Sequence, residues 1–367
     1  EQTNLLALNA TIEAARAAFA AGKRFVVIEA PTGAGKSAIA VTLAREALSA
    51  YILTAQKILQ DQYVRDFPDL ALMKGRANYP CLVAPTHAAA APCTYGRRFP
   101  ACDDCPYFRA KDEAMAASST TMNYAYFLAE LTYSGGFGER DLLVLDEATS
   151  AEGALMNFVQ VSLAETALAR AGVAERIPYT TEQWQYFDFI EALLPRLVGR
   201  SREIDTQLRA EGVPPETELA LLQSKNWLDG QVARLRLLLE SFDEDLVEWT
   251  VERSQDRAGT TLTFKPVSVQ SFAEPLLFSR AQRVLMLSAT ILDPETYLAS
   301  LGIDPEQAEV IRMESDFPAE KRPIVVRPSA RLTRHHLDEG LPRLAAAVAE
   351  IIEEHPFEKG IVHAHSY

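Results

Sequence analysis

The stretch Ala30-Pro31-Thr32-Gly33-Ala34-Gly35-Lys36-Ser37 decides the fold. An apolar run, Phe25-Val26-Val27-Ile28, precedes it, and a helical pattern through Ile39, Leu43 and Leu48 follows. Strand, glycine turn, Lys-Ser and helix are the parts of a phosphate-binding loop. Glycines let the backbone curl until successive N–H groups face one concavity. The helix start adds unpaired N–H groups and the positive end of its dipole. Lys36 is then expected to reach the β- and γ-phosphates, and the Ser37 hydroxyl to hold magnesium. Thr32, Gly33, Ala34 and Gly35 complete the expected ATP contacts. Ala30 stands where the commonest form of the pattern has Gly, so the match is to a Pro-Thr-Gly variant.

A second strand supplies the partner of such a loop. Leu142-Leu143-Val144-Leu145 runs into Asp146-Glu147-Ala148-Thr149. Asp146 at the strand end is expected to hold magnesium, usually through water. Glu147 is expected to orient or deprotonate the attacking water, because hydrolysis needs a base in line with the γ-phosphate. Catalysis thus falls to Glu147, Asp146 and Lys36. A further apolar run, Val284-Leu285-Met286-Leu287, ends in Ser288-Ala289-Thr290, whose hydroxyls are candidates for coupling the γ-phosphate to a moving partner. Ala50-Tyr51-Ile52-Leu53 ends at Thr54, either a phosphate-facing hydroxyl or the cap of the helix that follows.

Residues 74–111 break this α/β rhythm. All four cysteines lie here: Cys81, Cys93, Cys102 and Cys105, separated by eleven, eight and two residues. With no basic leader and no apolar run near the ~18 residues of a membrane span, the chain is expected to be cytoplasmic, where thiols stay reduced. Four reduced thiols in 25 residues favour a metal centre over disulfides. Their spacing leaves zinc and an iron–sulphur cluster both open. This segment has six basic residues against Asp103 and Asp104, whereas the whole chain carries −14. Tyr79, Tyr95, Phe99, Tyr107 and Phe108 alternate with Arg76, Arg97, Arg98 and Arg109. Cations with interleaved rings suit single-stranded nucleic acid. The same rings also suit a small core around a metal centre.

The remaining segments set the frame. At 48% apolar and 23% charged, the composition is that of an ordinary globular chain of two or three domains. Residues 5–20 and 112–133 read as helical. Residues 151–257 read as a mostly helical insertion holding 11 basic and 19 acidic residues. Its Trp and Phe residues read as core. Leu262-Thr263-Phe264 returns to strand character. After a Pro-punctuated linker come a strand at 324–326, an amphipathic helix through Leu341, Leu344, Val348 and Ile351, and a strand at 360–367, where the chain stops.

In this order the motifs resemble those of the iron–sulphur helicases of superfamily 2, the XPD/DinG type. Residues 31–37 look like motif I and 54–62 like motif Ia. Lys74-Gly75-Arg76, with Asn78, Tyr79 and Cys81, looks like the entry to the cluster domain. Asp146-Glu147-Ala148 looks like motif II, Ser288-Ala289-Thr290 like motif III, and 359–367 like motif IV. The resemblance implies an α/β fold: a RecA-like motor domain (1–73, 112–150 and 258–310), an iron–sulphur domain (74–111), a helical arch (151–257), and the start of a second motor domain (311–367). It implies a 4Fe–4S cluster on the four cysteines, with ATP and magnesium as the other cofactors. It implies a monomer, nucleoid-associated if bacterial, that moves 5′ to 3′ on single-stranded DNA and unwinds forked DNA. DNA contacts are implied for Thr54, Arg76, Tyr79, Arg97, Arg98, His365 and Ser366. Rival readings are an ATPase acting on RNA or protein complexes, and a zinc-stabilised nucleic-acid binder with a vestigial nucleotide site.

Two departures from the pattern carry expectations. Thr149 replaces the histidine that commonly follows Asp-Glu-Ala. Motifs V and VI are missing, and with them an arginine finger, typically worth ~10³–10⁵ in rate. The chain is therefore expected to bind nucleotide, hydrolyse it slowly and unwind nothing alone. Turnover at helicase rates with DNA present would contradict that expectation.

Overall fold

Short apolar runs bounded by polar turns fit strands buried on both faces, and such strands pair in parallel under helices. The computed structural model describes residues 2–91, 93, 100–133, 136–210, 214–243, 247–257, 259–314, 323–333 and 335–363. Its strands are β1 (Phe25–Glu29), β2 (Ala50–Thr54), β3 (Ala71–Leu72), β4 (Ser119–Asn123), β5 (Arg140–Asp146), β6 (Val161–Ala164), β7 (Trp249–Asp256), β8 (Gly259–Pro266), β9 (Ala281–Ser288) and β10 (Ala308–Arg312).

Seven strands form one sheet in the order β10-β1-β9-β5-β2-β4-β3, and every pair in it is parallel. This mainly parallel α/β sheet is consistent with the expected RecA-like architecture. Alternate residues feed two cores. Val26, Ile28, Ile52, Val144 and Leu285 face one, together with helices Gln2–Ala20 and Lys36–Glu46. Val27, Leu53, Leu143, Leu145 and Met286 face the other, together with helix Tyr124–Tyr133. The parallel polarity brings the C-terminal ends of β1, β2, β4, β5 and β9 to one rim, where open α/β sheets bind ligands.

Residues 112–133, expected to be helical throughout, instead hold β4 between helices Pro106–Ala116 and Tyr124–Tyr133. Its sequence, Ser-Thr-Thr-Met-Asn, carries no apolar run. The main chain is nonetheless completed by β2 on one side and β3 on the other. Thr120 is buried and gives its hydroxyl to the Ala114 carbonyl at 2.6 Å, so the polar side chain is matched.

Between β5 and β9 the chain forms helices Ala151–Val159, Glu165–Arg170, Trp184–Leu208 and Pro215–Asp243. The two long ones pack side by side. A three-stranded antiparallel sheet, β6-β8-β7, joins them. The strand signal at 262–264 therefore belongs to this smaller sheet. Phe187, Leu235, Leu262 and Phe264 are buried in its core, but Trp184 is 54% exposed, against the expectation that the tryptophans are core.

Residues Asp316–Tyr367 form a separate compact unit. Its amphipathic helix is Leu337–Glu354. The expected strand at 324–326, and residues 360–363 of the one expected at 360–367, pair with nothing among the described residues; 364–367 lie outside them, and Ile324, Val326 and Ile361 are exposed. A parallel strand needs neighbours to complete its main-chain bonds, and two segments with one helix supply none. No helix among the described residues is long and apolar enough to cross a membrane.

Leu285 sits in the middle of β9 with no exposed surface, and both neighbouring strands are themselves central. Leu285→Ala is expected to cost about 2–5 kcal/mol of unfolding free energy, read as a lower denaturant midpoint at unchanged slope. A loss below about 1 kcal/mol, less than half that range, would contradict the packing described here.

Candidate nucleotide-binding site

The loop at 30–37 leaves β1 and turns at two glycines. Gly33 and Gly35 both have φ of 86°, in the left-handed region. A Cβ at Gly35 would also stand 3.1 Å from Leu8 Cδ1. The Ala30 N–H donates to the Ser288 carbonyl at 2.9 Å, which ties the loop to the end of β9. Helix Lys36–Glu46 begins at once, with no side chain capping its first turn. Its leading N–H groups therefore face the loop's concavity. Lys36 Nζ donates to the Ala30 carbonyl at 3.3 Å, folding the amine back over the loop. Thr32 and Gly33 are exposed; Ala34, Gly35, Lys36 and Ser37 are half-buried.

Across the rim, β5 delivers Asp146. Its carboxylate is 5% exposed. Burial pushes its pKa up, opposed by a hydrogen bond from Tyr63 and by the charge of Lys36. Oδ2 accepts from the Tyr63 hydroxyl at 3.0 Å, and Oδ1 accepts from the Glu147 N–H at 3.0 Å. Glu147 adopts φ 51°, and it is the sole non-glycine with positive φ among the described residues. Such strain concentrates at functional sites. Here it turns the half-buried Glu147 off the strand axis beside Asp146. Thr149 Oγ1 lies 3.3 Å from Ser288 Oγ, and Ser288 Oγ donates to the Thr290 carbonyl at 3.3 Å. A threonine thus links the Asp-Glu turn to the end of β9, and Ser288 is buried while Thr290 is exposed.

The sequence passed over other groups at this rim. Glu29, the last residue of β1, accepts from the Ile291 N–H at 3.0 Å and pairs with Arg312 at 3.1 Å, holding the Ser288–Thr290 turn. Tyr63, Tyr124 and Tyr297 close on the Asp-Glu turn. Their only signal in sequence is position: each lies within a helix that follows a strand of the sheet. Thr54 is buried and gives its hydroxyl to the Gln56 carbonyl at 3.1 Å, so it does not cap the helix.

The cysteine segment packs beside the rim. Cys102 and Cys105 are buried; Cys81 and Cys93 are half-buried. All four line one small cavity, with Ala88 and Ala91. Burial pushes the Cys93 thiol up, Arg76 pulls it down, and the other three cysteines act on it as like charges. The Val83 N–H donates to Cys81 Sγ at 3.4 Å. Cys105 stands at the N-cap position of helix Pro106–Ala116, with no side-chain capping bond. Among the described residues no group of three or more His, Cys, Asp or Glu is gathered so that it could hold a metal ion.

Arg76 lies 4.4 Å over the Tyr107 ring, and Tyr79 meets Tyr107 edge-on at 5.6 Å. The Tyr107 hydroxyl sits 3.1 Å from that of Tyr126, beside Glu130, which pairs tightly with Lys111. Arg97, Arg98, Tyr95, Phe99, His365 and Ser366 lie outside the described residues. A cavity of about 680 Å³ lined by Gln56, Tyr124, Asn157 and Arg234 opens next to the strand ends. A second, of about 550 Å³, is lined by Lys57, Arg76, Asn78, Asn123 and Asn226. Ala125 and Ala129 line both, so the two lie side by side at helix Tyr124–Tyr133.

Comparison with known proteins bears on this architecture. No protein-family model matches the chain, and no curated protein matches it. Among solved structures, one named XPD helicase aligns with a TM-score of 0.54 at 16% identity, over 96% of this chain and 70% of the other. A truncated XPD gives 0.46 at 16% identity, over 84% and 99%. Xpd4 of S. tokodaii gives 0.44 at 14% identity, over 94% and 68%. The first of these gives the chain an XPD-helicase-like fold.

Gly35→Ala forces a side chain into the left-handed region and is expected to destabilise the protein by about 1–2 kcal/mol. Denaturant unfolding measures it. An unchanged midpoint would contradict the loop geometry.

Proposed function

We propose that this chain is the nucleotide-binding part of an ATP-driven DNA helicase of the XPD type. One observation carries the reading: a glycine-turned loop with Lys36 and Ser37 and a buried Asp146-Glu147 turn meet at one rim of a parallel sheet. A loop of backbone amides and a lysine suits a triphosphate. A carboxylate pair across from it suits a magnesium ion and an attacking water.

The roles follow from placement. Lys36 leaves the Ala30 carbonyl to meet the β- and γ-phosphate oxygens, and the loop amides hold the rest of the triphosphate. Ser37 and Asp146 hold magnesium, which on binding neutralises the charge that develops on the γ-phosphate. Glu147 accepts the proton of the water in line with the γ-phosphate. The Thr149 and Ser288 hydroxyls, with the Thr290 carbonyl, pass the state of that site to whatever closes over it. Nucleic acid follows the two neighbouring cavities at helix Tyr124–Tyr133, where Lys57, Arg76 and Arg234 supply cations. Movement is 5′ to 3′ on single-stranded DNA, and forked duplexes are unwound.

Cys81, Cys93, Cys102 and Cys105 fit a 4Fe–4S cluster by their chemistry. They are four free thiols that line one small cavity. When bound, the cluster supplies cross-links that stand in for the core such a short segment cannot build.

Three variants test the proposal. Lys36→Ala is expected to abolish detectable binding of magnesium-ATP in a fluorescent-nucleotide titration. Glu147→Gln is expected to keep that affinity and to lower hydrolysis by ~10²–10⁴-fold. Binding unaffected by Lys36→Ala would overturn the nucleotide site. Cys102→Ser in protein prepared without oxygen is expected to lose the brown absorption and the stoichiometric iron and sulphide. Zinc without iron in the parent protein would overturn the cluster.

A further inference from the structure

Three tyrosine hydroxyls converge on the Asp-Glu turn, and one of them touches the carboxylate. Tyr297 donates to the Ala148 carbonyl at 2.9 Å, and Tyr124 to the Asp146 carbonyl at 3.2 Å. Tyr63, from helix Lys57–Asp66, donates to Asp146 Oδ2 at 3.0 Å. The other oxygen, Oδ1, is held by the Glu147 N–H. Each oxygen thus has one partner, which fixes the carboxylate plane and leaves lone pairs on both atoms for a further bond. The phenol therefore holds one of the two residues assigned to magnesium. It is 2% exposed and its ring packs on Phe67 at 6.3 Å between centroids.

We propose that Tyr63 is a positioning residue for the metal: its hydroxyl aims the Asp146 carboxylate at the ion's place before the ion arrives. This rests on the nucleotide reading given above. A carboxylate already oriented loses less freedom when it takes up a metal or a metal-bound water. Partners of this outer kind are typically worth ~10–100-fold in metal affinity. Without the phenol oxygen, Oδ2 has no remaining protein donor in a buried pocket, and the carboxylate is free to turn. Neither Tyr124 nor Tyr297 has that effect, because each holds a main-chain carbonyl.

The test is a magnesium titration of the chain in the presence of a fluorescent ATP analogue, repeated with manganese and read by electron paramagnetic resonance. Tyr63→Phe removes one oxygen and keeps the ring, and a thermal melt checks the fold. The expected result is a rise of ~10-fold or more in half-saturating metal, with the metal-free nucleotide affinity unchanged. Identical metal curves for parent and variant would overturn the proposal. So would a loss of nucleotide affinity that is equal with and without metal, since that marks general damage. Lys36→Ala, run alongside, separates the two levels. If it binds nucleotide as the parent does, the nucleotide reading falls and the role of Tyr63 with it. If it fails to bind while Tyr63→Phe matches the parent, only the role of Tyr63 falls.

Discussion

Parallel pairing of β1, β9 and β5 sets the height at which every candidate group emerges. Glu29 lies opposite Ser288, and Asp146 opposite Leu287. A slip of one residue in either pair would turn all side chains of a strand to the wrong face. It would move Val26 and Ile28 out of one core and Val27 out of the other. Burial on both faces therefore fixes the register, and the register in turn brings loop, carboxylates and hydroxyls level. The Ala30–Ser288 main-chain bond extends that ladder one step past the strands and into the phosphate loop. At this rim the left-handed backbone comes only beyond the strand ends, at Gly33 and Gly35 after β1 and at Glu147 after β5.

The cysteine segment obeys a different rule. It has few apolar side chains to bury, and its ordered contacts are aromatic and ionic. Arg76 on Tyr107, Tyr79 against Tyr107, and Tyr107 beside Tyr126 join it to helix Tyr124–Tyr133. Tyr124 of the same helix bonds Asp146. One helix therefore touches the thiol-bearing segment, both cavities and the carboxylate turn. A short segment held this way takes support from its neighbour rather than from a core of its own.

Much of this was legible in the sequence, for physical reasons. The runs in β1, β2, β5 and β9 are apolar at every position because helices cover both faces, and each ends in the residue that matters. β4 was hidden because Thr120 and Thr121 are polar, although both are buried. β10 was hidden at the sheet's edge, where Glu309 and Arg312 face solvent. In β7 exposed polar residues, Thr250 and Glu252, alternate with Trp249 and Val251, a half-exposed pattern that hides easily among the helices around it. Lys36, Asp146, Glu147 and the four cysteines stand out by residue type and spacing. Tyr63, Tyr124, Tyr297 and Glu29 do not, because their roles arise from where separate helices and strands end. No local pattern marks a tyrosine that reaches 83 positions along the chain to a carboxylate.

The central claim is that Lys36, Ser37 and Asp146 surround one metal-bound triphosphate at the rim of the sheet. A crystal structure with magnesium and a non-hydrolysable ATP analogue tests it most directly. The account predicts the triphosphate seated in the loop at 31–37, with the Lys36 amine moved from the Ala30 carbonyl onto phosphate oxygens and the ion between Ser37 and Asp146. A nucleotide bound elsewhere, or a lysine amine still on that carbonyl with the analogue present, would contradict it.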